Sequence, residues 1–160
     1  PNTEVEEAMN QYLLGEYIFD SGNPQAALIS DIYDALRDND FELFKDCFNA
    51  LFGSIPQDYF LENREKFYHA IIFLTFKLLG YFASVETPAG RGRLDAVVSF
   101  QEKIFILEFK RDESAQAAID QIHEKGYYLP YQSEQKDIYL LGINLISERK
   151  EIEDVLVERL

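Results

Sequence analysis

Arg91-Gly92-Arg93-Leu94-Asp95-Ala96-Val97-Val98-Ser99-Phe100-Gln101-Glu102-Lys103-Ile104-Phe105-Ile106-Leu107-Glu108-Phe109-Lys110 sets costly charges among the most strand-like residues of the chain. Leu94–Phe100 and Ile104–Phe109 are rich in Val, Ile and Phe, and the break between them is short enough for a hairpin. If Gln101 and Glu102 form a two-residue turn, Phe100 pairs with Lys103 and the register puts Asp95 directly opposite Glu108. Side chains alternate along a strand, so Lys110 then shares the face of Glu108. Two carboxylates and one ammonium are expected to converge at the open end of the hairpin.

Carboxylates facing one another repel, and partly buried ones cost several kcal/mol unless something positive compensates. Hard divalent cations such as Mg²⁺ take oxygen ligands, commonly one or two carboxylates with waters and substrate phosphate. The pattern thus fits a metal site with Lys110 beside it, placed to orient or polarise an attacking water. A structural salt bridge between Lys110 and the two acids fits the same residues. Glu-x-Lys alone says little, since Glu148-Arg149-Lys150 also matches it. The first copy is distinguished by its apolar strand and by an Asp in hairpin register.

These residues resemble the PD-(D/E)xK nuclease superfamily, with Asp95 as the first acid and Glu108-Phe109-Lys110 as the (D/E)xK element. Glu65-Lys66-Phe67-Tyr68-His69, Gly92-Arg93-Leu94-Asp95, and Gln121-Ile122 with Gly126-Tyr127 extend the resemblance from about Glu65 to Leu145. They look like the C-terminal nuclease-like domain of a group of prokaryotic proteins in which an ATPase-like domain comes first. The resemblance implies a cofactor of Mg²⁺ or Mn²⁺ on Asp95 and Glu108, with the Phe109 carbonyl as a backbone ligand and Glu65 completing the outer set. Lys110 would act on the water, and Gln121 with Arg93 would position nucleic acid, DNA being the expected kind. Nuclease relatives also use a Tyr a few residues after such a Gln; Gln121 and Tyr127 are six apart, wider than the usual spacing.

At 160 residues, 47% of them hydrophobic, the chain can bury one domain core with a small extension. The single Cys47 excludes an internal disulfide and fits a reducing cytoplasm. No signal peptide is visible, and the longest apolar stretch, Ala70–Ala83, is broken by Lys77 and too short to span a bilayer. The net charge of −14 opposes nucleic-acid binding, which normally rests on clustered Lys and Arg. Residues 1–62 carry 13 acidic and 2 basic side chains, however, so −11 of the −14 lies in front of the nuclease-like part. So acidic a domain needs metal or a further domain to hold DNA.

Residues 1–62 read as an acidic helical subdomain and 63–160 as the nuclease-like domain. Thr3 with Glu6 forms a capping box for a first helix ending near Phe19. Asn23-Pro24 opens a second helix with Leu28, Ile32, Ala35 and Leu36 on one face. Asp40 caps a third, striped by Phe41, Phe44, Phe48 and Leu51 and stopped at Gly53. A fourth helix, Asn63–Leu79, is apolar nearly all round, which predicts burial against a sheet, with Glu65 and His69 on one face near its start. Tyr81–Thr87 reads as the first strand. Gly90-Arg91-Gly92 leads into a strand, not a helix, so it is no dinucleotide loop; Arg91 and Arg93 either clamp substrate phosphate or neutralise the acids.

A fifth helix runs from the Ser114 cap to Lys125, with Ala118, Ile119 and Ile122 inward and Gly126 as its stop. Tyr127, Tyr128 and Tyr131 follow as packing or stacking residues, and Ile138–Leu145 reads as a covered central strand. The segment 151–160 fits an edge strand or a short helix about equally. The expected fold is α/β, an αβββαβ restriction-endonuclease-like core with a mixed sheet and helices on both faces, preceded by the small helical subdomain.

Two functions follow: metal-dependent phosphodiester hydrolysis, or a catalytically silent docking module for an ATPase-like domain on the same parent chain. The start at Pro1 and the resemblance both suggest a C-terminal piece of a longer protein. The acidity favours docking. The complete acid, acid and lysine set favours hydrolysis.

Overall fold

The computed structural model describes residues 24–54, 64–80, 82–86 and 95–160. The expected first helix, the Gly90–Leu94 turn, Arg91 and Arg93 lie outside them. The chain divides into two compact units, Pro1–Phe82 and Ala83–Leu160.

The first unit is helical where it is described. Helix α1, Pro24–Arg37, starts on the proline, whose fixed φ and missing N–H suit the first helical turn. It buries Ile29, Ile32, Ala35 and Leu36; Leu28 is only half-buried, so the inward stripe is rotated slightly from the expected one. Helix α2, Phe41–Ser54, is capped by Asp40, whose Oδ1 accepts the Leu43 N–H at 3.0 Å, and it runs one residue past Gly53. Helix α3 spans Arg64–Leu79. Phe44, Phe48, Phe52, Tyr68 and Phe76 interlock with ring centroids 4.9–6.1 Å apart, tilted or edge-on as ring quadrupoles prefer. The Cys47 thiol is buried in α2. Burial, with the nearby Asp31, Asp46 and Asp40, pushes it up to about 11, so it stays a protonated, inert core group.

The second unit is built on a five-stranded sheet in the order β1 (Ser84–Glu86), β2 (Asp95–Ser99), β3 (Lys103–Arg111), β4 (Asp137–Ile146), β5 (Glu151–Arg159). Only β3 and β4 are parallel, so the sheet is mixed as expected. The first strand is shorter than expected, because Phe82 and Ala83 turn before it. The β2–β3 hairpin closes on the Phe100 N–H to Lys103 carbonyl bond at 2.8 Å, leaving Gln101 and Glu102 as its two turn residues. The segment after residue 150 is a strand, antiparallel to β4 and at the edge of the sheet. Its helical spacing was overridden by the open edge of β4, which satisfies a row of backbone groups at once.

Between the parallel strands, helix α4 (Ala115–Lys125) crosses one face of the sheet. The Ser114 hydroxyl caps it by accepting the Ala117 N–H, and Gly126 ends it in the left-handed conformation at φ 62°. Ile119 and Ile122 pack on Val97, Ile104, Ile106, Ile138 and Leu140, with Tyr127, Tyr128 and Tyr131 sealing the cluster. A 3₁₀ turn, Leu129–Glu134, follows, and the Tyr131 hydroxyl donates to Glu86 Oε2 at 2.5 Å, tying the turn to the edge strand β1. Burial first, and then that bond, pushes the Tyr131 phenol up to about 12. On the opposite face of the sheet Phe105, Leu107, Phe109, Leu141, Ile143 and Leu145 are also buried.

Two contacts set the height and the entry of α4. At Gly142 a Cβ would stand 2.3 Å from the Ala115 carbonyl oxygen and 2.8 Å from Ile119 Cγ1, so the helix can press against β4 only because the side chain is missing. At the β3–α4 junction Asp112, at φ 54°, accepts the Ser147 N–H at 2.9 Å and its hydroxyl at 2.6 Å, joining the ends of β3 and β4. Those two bonds, side chain first, hold the Asp112 carboxyl below its usual range.

Gly142→Ala is expected to cost about 1–3 kcal/mol in denaturant unfolding, since a backbone carbonyl cannot move aside like a side-chain tip. Cost-free substitution would refute the close approach. Asp112 has its pKa lowered on folding, so its contribution is complete above the ordinary value of 3.8 and is lost as pH falls through the lower folded value. Melting curves of Asp112→Asn should therefore lie below wild type at neutral pH and converge with it in acid; a gap independent of pH would contradict the Ser147 contact.

Candidate active site

The sheet brings the motif residues together in rows. Cα partners across one row are Asp95, Glu108, Gly142 and Leu156, and across the next Lys110, Asn144 and Asp154. Opposite positions of an antiparallel ladder share a face, as do positions two apart on one strand. Residues 95, 108 and 110 thus occupy one face, the one α4 crosses. The hairpin turn sets this register, and it is the register that the sequence predicts.

Glu108 is 2% exposed, and its Oε2 has no hydrogen-bond partner among the described residues. Buried polar atoms are nearly always satisfied, and an unpaired carboxylate oxygen in a buried site is costly. A hard cation ligated by that oxygen removes the cost, and carboxylates are the ligands Mg²⁺ and Mn²⁺ take. Glu108 therefore fits a divalent metal on chemical grounds. Among the described residues there is no group of three His, Cys, Asp or Glu that could hold one.

Lys110 is about one-fifth exposed, and its ammonium is held from two sides. Nζ donates to Gln121 Oε1 on α4, and it lies 3.7 Å from Glu113 Oε2 at the start of the α4 connection. Gln121, on α4, is thus a direct partner of the lysine. The ammonium stays on the Glu108 face and is kept from folding back into solvent.

Beyond Glu113 the network reaches Asn144, whose side chain is buried at 1% exposure. Its Oδ1 accepts the Glu113 N–H at 3.1 Å, and its Nδ2 donates to the Glu113 carbonyl at 3.3 Å and to Glu153 Oε2 at 3.5 Å. The β4–β5 register shifts between Asn144 and Leu145, leaving Glu153 as the extra residue of a bulge. Neither Glu113 nor Asn144 was singled out in the sequence. The available signal was an asparagine inside the apolar run Leu140-Leu141-Gly142-Ile143-Asn144-Leu145-Ile146, a position where burial is costly without a purpose.

The other candidates are placed less fully. Tyr127 is half-buried and packs on the Ile119–Ile122 cluster. Glu65 is the second residue of α3, in the first unit. No helix among the described residues is long and apolar enough to cross a membrane.

Comparison with known proteins gives the chain a family. The chain is 31% identical over 170 residues to a protein of Azotobacter chroococcum mcd 1 that bears the name "Uncharacterized protein in vnfD 5'region". The alignment covers 100% of the chain and 32% of that relative, so the chain spans about a third of its length. No solved structure gives a significant match. The family model of the PD-(D/E)XK nuclease superfamily, whose members generally use divalent metal ions, matches residues 63–155. That match takes in α3, the hairpin with Asp95, Glu108 and Lys110, α4 and β4, and the chain belongs to the PD-(D/E)XK nuclease superfamily.

Proposed function

We propose that the chain hydrolyses phosphodiester bonds of DNA with Mg²⁺ or Mn²⁺ held at Asp95 and Glu108. The observation that carries this reading is Glu108, a buried carboxylate with an orphaned oxygen, set opposite Asp95 and two residues before a restrained lysine. The Phe109 carbonyl and Glu65 are the further donors proposed. When bound, the metal supplies positive charge against the charge developing on phosphate. Lys110 orients the attacking water and adds a fixed cation on the same side; because Gln121 and Glu113 hold it in place, little reorganisation accompanies the reaction. Gln121 acts here through the lysine as well as toward substrate. Arg91 and Arg93 are proposed to clamp backbone phosphate, and Tyr127, just after α4, to contact substrate.

Residues 63–160 form the nuclease-like domain in this reading and 1–62 the acidic helical subdomain, with an ATPase-like domain preceding both on the parent chain in the cytoplasm. The second reading, a silent docking module for that domain, is favoured by the net charge of −14, 13 of whose acids lie in 1–62. Acidic faces of that kind repel nucleic acid unless metal or a basic partner offsets them.

Mn²⁺ at about a hundred times its dissociation constant should raise the melting temperature by about 5–10 °C. Asp95→Ala should abolish the rise. Lys110→Ala should keep it yet lose cleavage of linear or single-stranded DNA by about 100-fold or more. A chain that neither responds to metal nor cuts DNA is the docking module. In metal-free buffer, Glu108→Gln should gain about 1–3 kcal/mol of stability, because a neutral amide replaces an unpaired buried carboxylate, while losing the Mn²⁺ response. A variant less stable than wild type without metal would mean that Glu108 is paired within the protein.

A further inference from the structure

We infer that Asn144 is a positioning residue for Lys110, acting through the backbone of Glu113; the inference deepens the hydrolase reading and rests on it for its catalytic part. Asn144 lies in the row of Lys110 on the neighbouring parallel strand, but the hydrogen bonds of its amide go to Glu113 and Glu153, not to the lysine. It grips both backbone groups of Glu113 instead, the N–H at 3.1 Å and the carbonyl at 3.3 Å. This two-point grip fixes the position and direction of a residue that otherwise stands exposed at the mouth of a connection. The Glu113 carboxylate then reaches back to the ammonium at 3.7 Å.

Burial explains why an asparagine is used. An apolar side chain at 144 would leave the Glu113 N–H, and in part its carbonyl, without their partner beside a closed sheet. Aspartate could accept from the N–H but not donate to the carbonyl, and would add a third acid next to Glu113 and Glu153. Only a side chain carrying both a donor and an acceptor completes the grip. The Gly142 contact brings α4 down on the same strand two residues earlier, so β4 sets both holders of the lysine: Gln121 through the helix, Glu113 through Asn144.

The grip uses different atoms from the Ser147–Asp112 contact next to it. Asp112 joins the strand ends; Asn144 orients the residue after it. Losing the first should loosen the junction as a whole, whereas losing the second should free one acid and, with it, one side of the ammonium.

The test uses the whole chain with Asn144→Ala and, should that variant fail to fold, the near-isosteric Asn144→Leu, which has neither donor nor acceptor, each checked by circular dichroism. Brief acetylation followed by peptide mass spectrometry reads the reactivity of Lys110 against Lys125, exposed at the end of α4. The Lys110 to Lys125 ratio should rise severalfold in the variant, and Glu113→Gln should reproduce part of the rise. In DNA cleavage, kcat should fall by about 10- to 100-fold with KM and the Mn²⁺ melting shift nearly unchanged. Asn144→Ala combined with Lys110→Ala should cut no more slowly than Lys110→Ala alone. An unchanged ratio in a folded variant overturns the inference, and so does a double variant that loses the full product of the two single effects. A wild-type chain that cuts no DNA refutes the hydrolase reading, and the acetylation ratio still decides whether Asn144 holds the lysine.

Discussion

Everything at the site depends on one two-residue turn. Gln101 and Glu102 close the hairpin so that Phe100 bonds Lys103, and the ladder then counts back until position 95 meets position 108. Sheet register is unforgiving because side chains alternate: a slip of one residue would move Glu108 to the far face, among Phe105, Leu107 and Phe109. The apolar residues enforce the register as strongly as the turn does. Val97 and Ile106 belong under α4, and the acids two positions farther along are carried to the same face with them. A charge pattern of no use to folding is held by residues whose burial is.

The second constraint is how closely α4 lies on the sheet. A helix resting on ordinary side chains would stand farther from β4, and Gln121 would move away from Lys110. The glycine at 142 removes that spacing at the strand adjoining Glu108, where a side chain would also crowd the carboxylate's own row. Hydrophobic packing of Ala118, Ile119 and Ile122 supplies the force, and the absent Cβ sets where that force stops. Stability and site geometry are therefore decided by the same contact.

Local signals in the sequence proved legible, and long-range ones did not. Pro24, Asp40, Ser114 and Gly126 announce helix ends because a cap needs only its own turn of backbone, and each stands where it was expected. The hairpin register was readable for the same reason, with fourteen positions and one turn deciding it. The Asn144–Glu113 contact joins residues 31 apart and depends on the parallel register of β3 with β4, which no turn dictates. Gly142 shows its purpose only once a helix lies above it. The last segment was ambiguous because Ile152, Val155, Leu156 and Arg159 fit a helix, and only the vacant edge of β4 made the extended form the better one. The mixed α/β core with its order of elements was legible; the network holding Lys110 was read only as a turn and a cap.

The outermost strand bears on how copies of this protein meet. Among the described strands it pairs with β4 alone, and a strand at the border of a sheet is the kind of surface that another chain can join by hydrogen bonding. Glu151, Glu153, Asp154 and Glu158 stud it with negative charge, so two such borders approaching each other meet repulsion before their amides can engage. Such like charge along a border sets a repulsion against edge-to-edge pairing of copies. It weakens as ionic strength rises, since the guarding charges are exposed and readily screened.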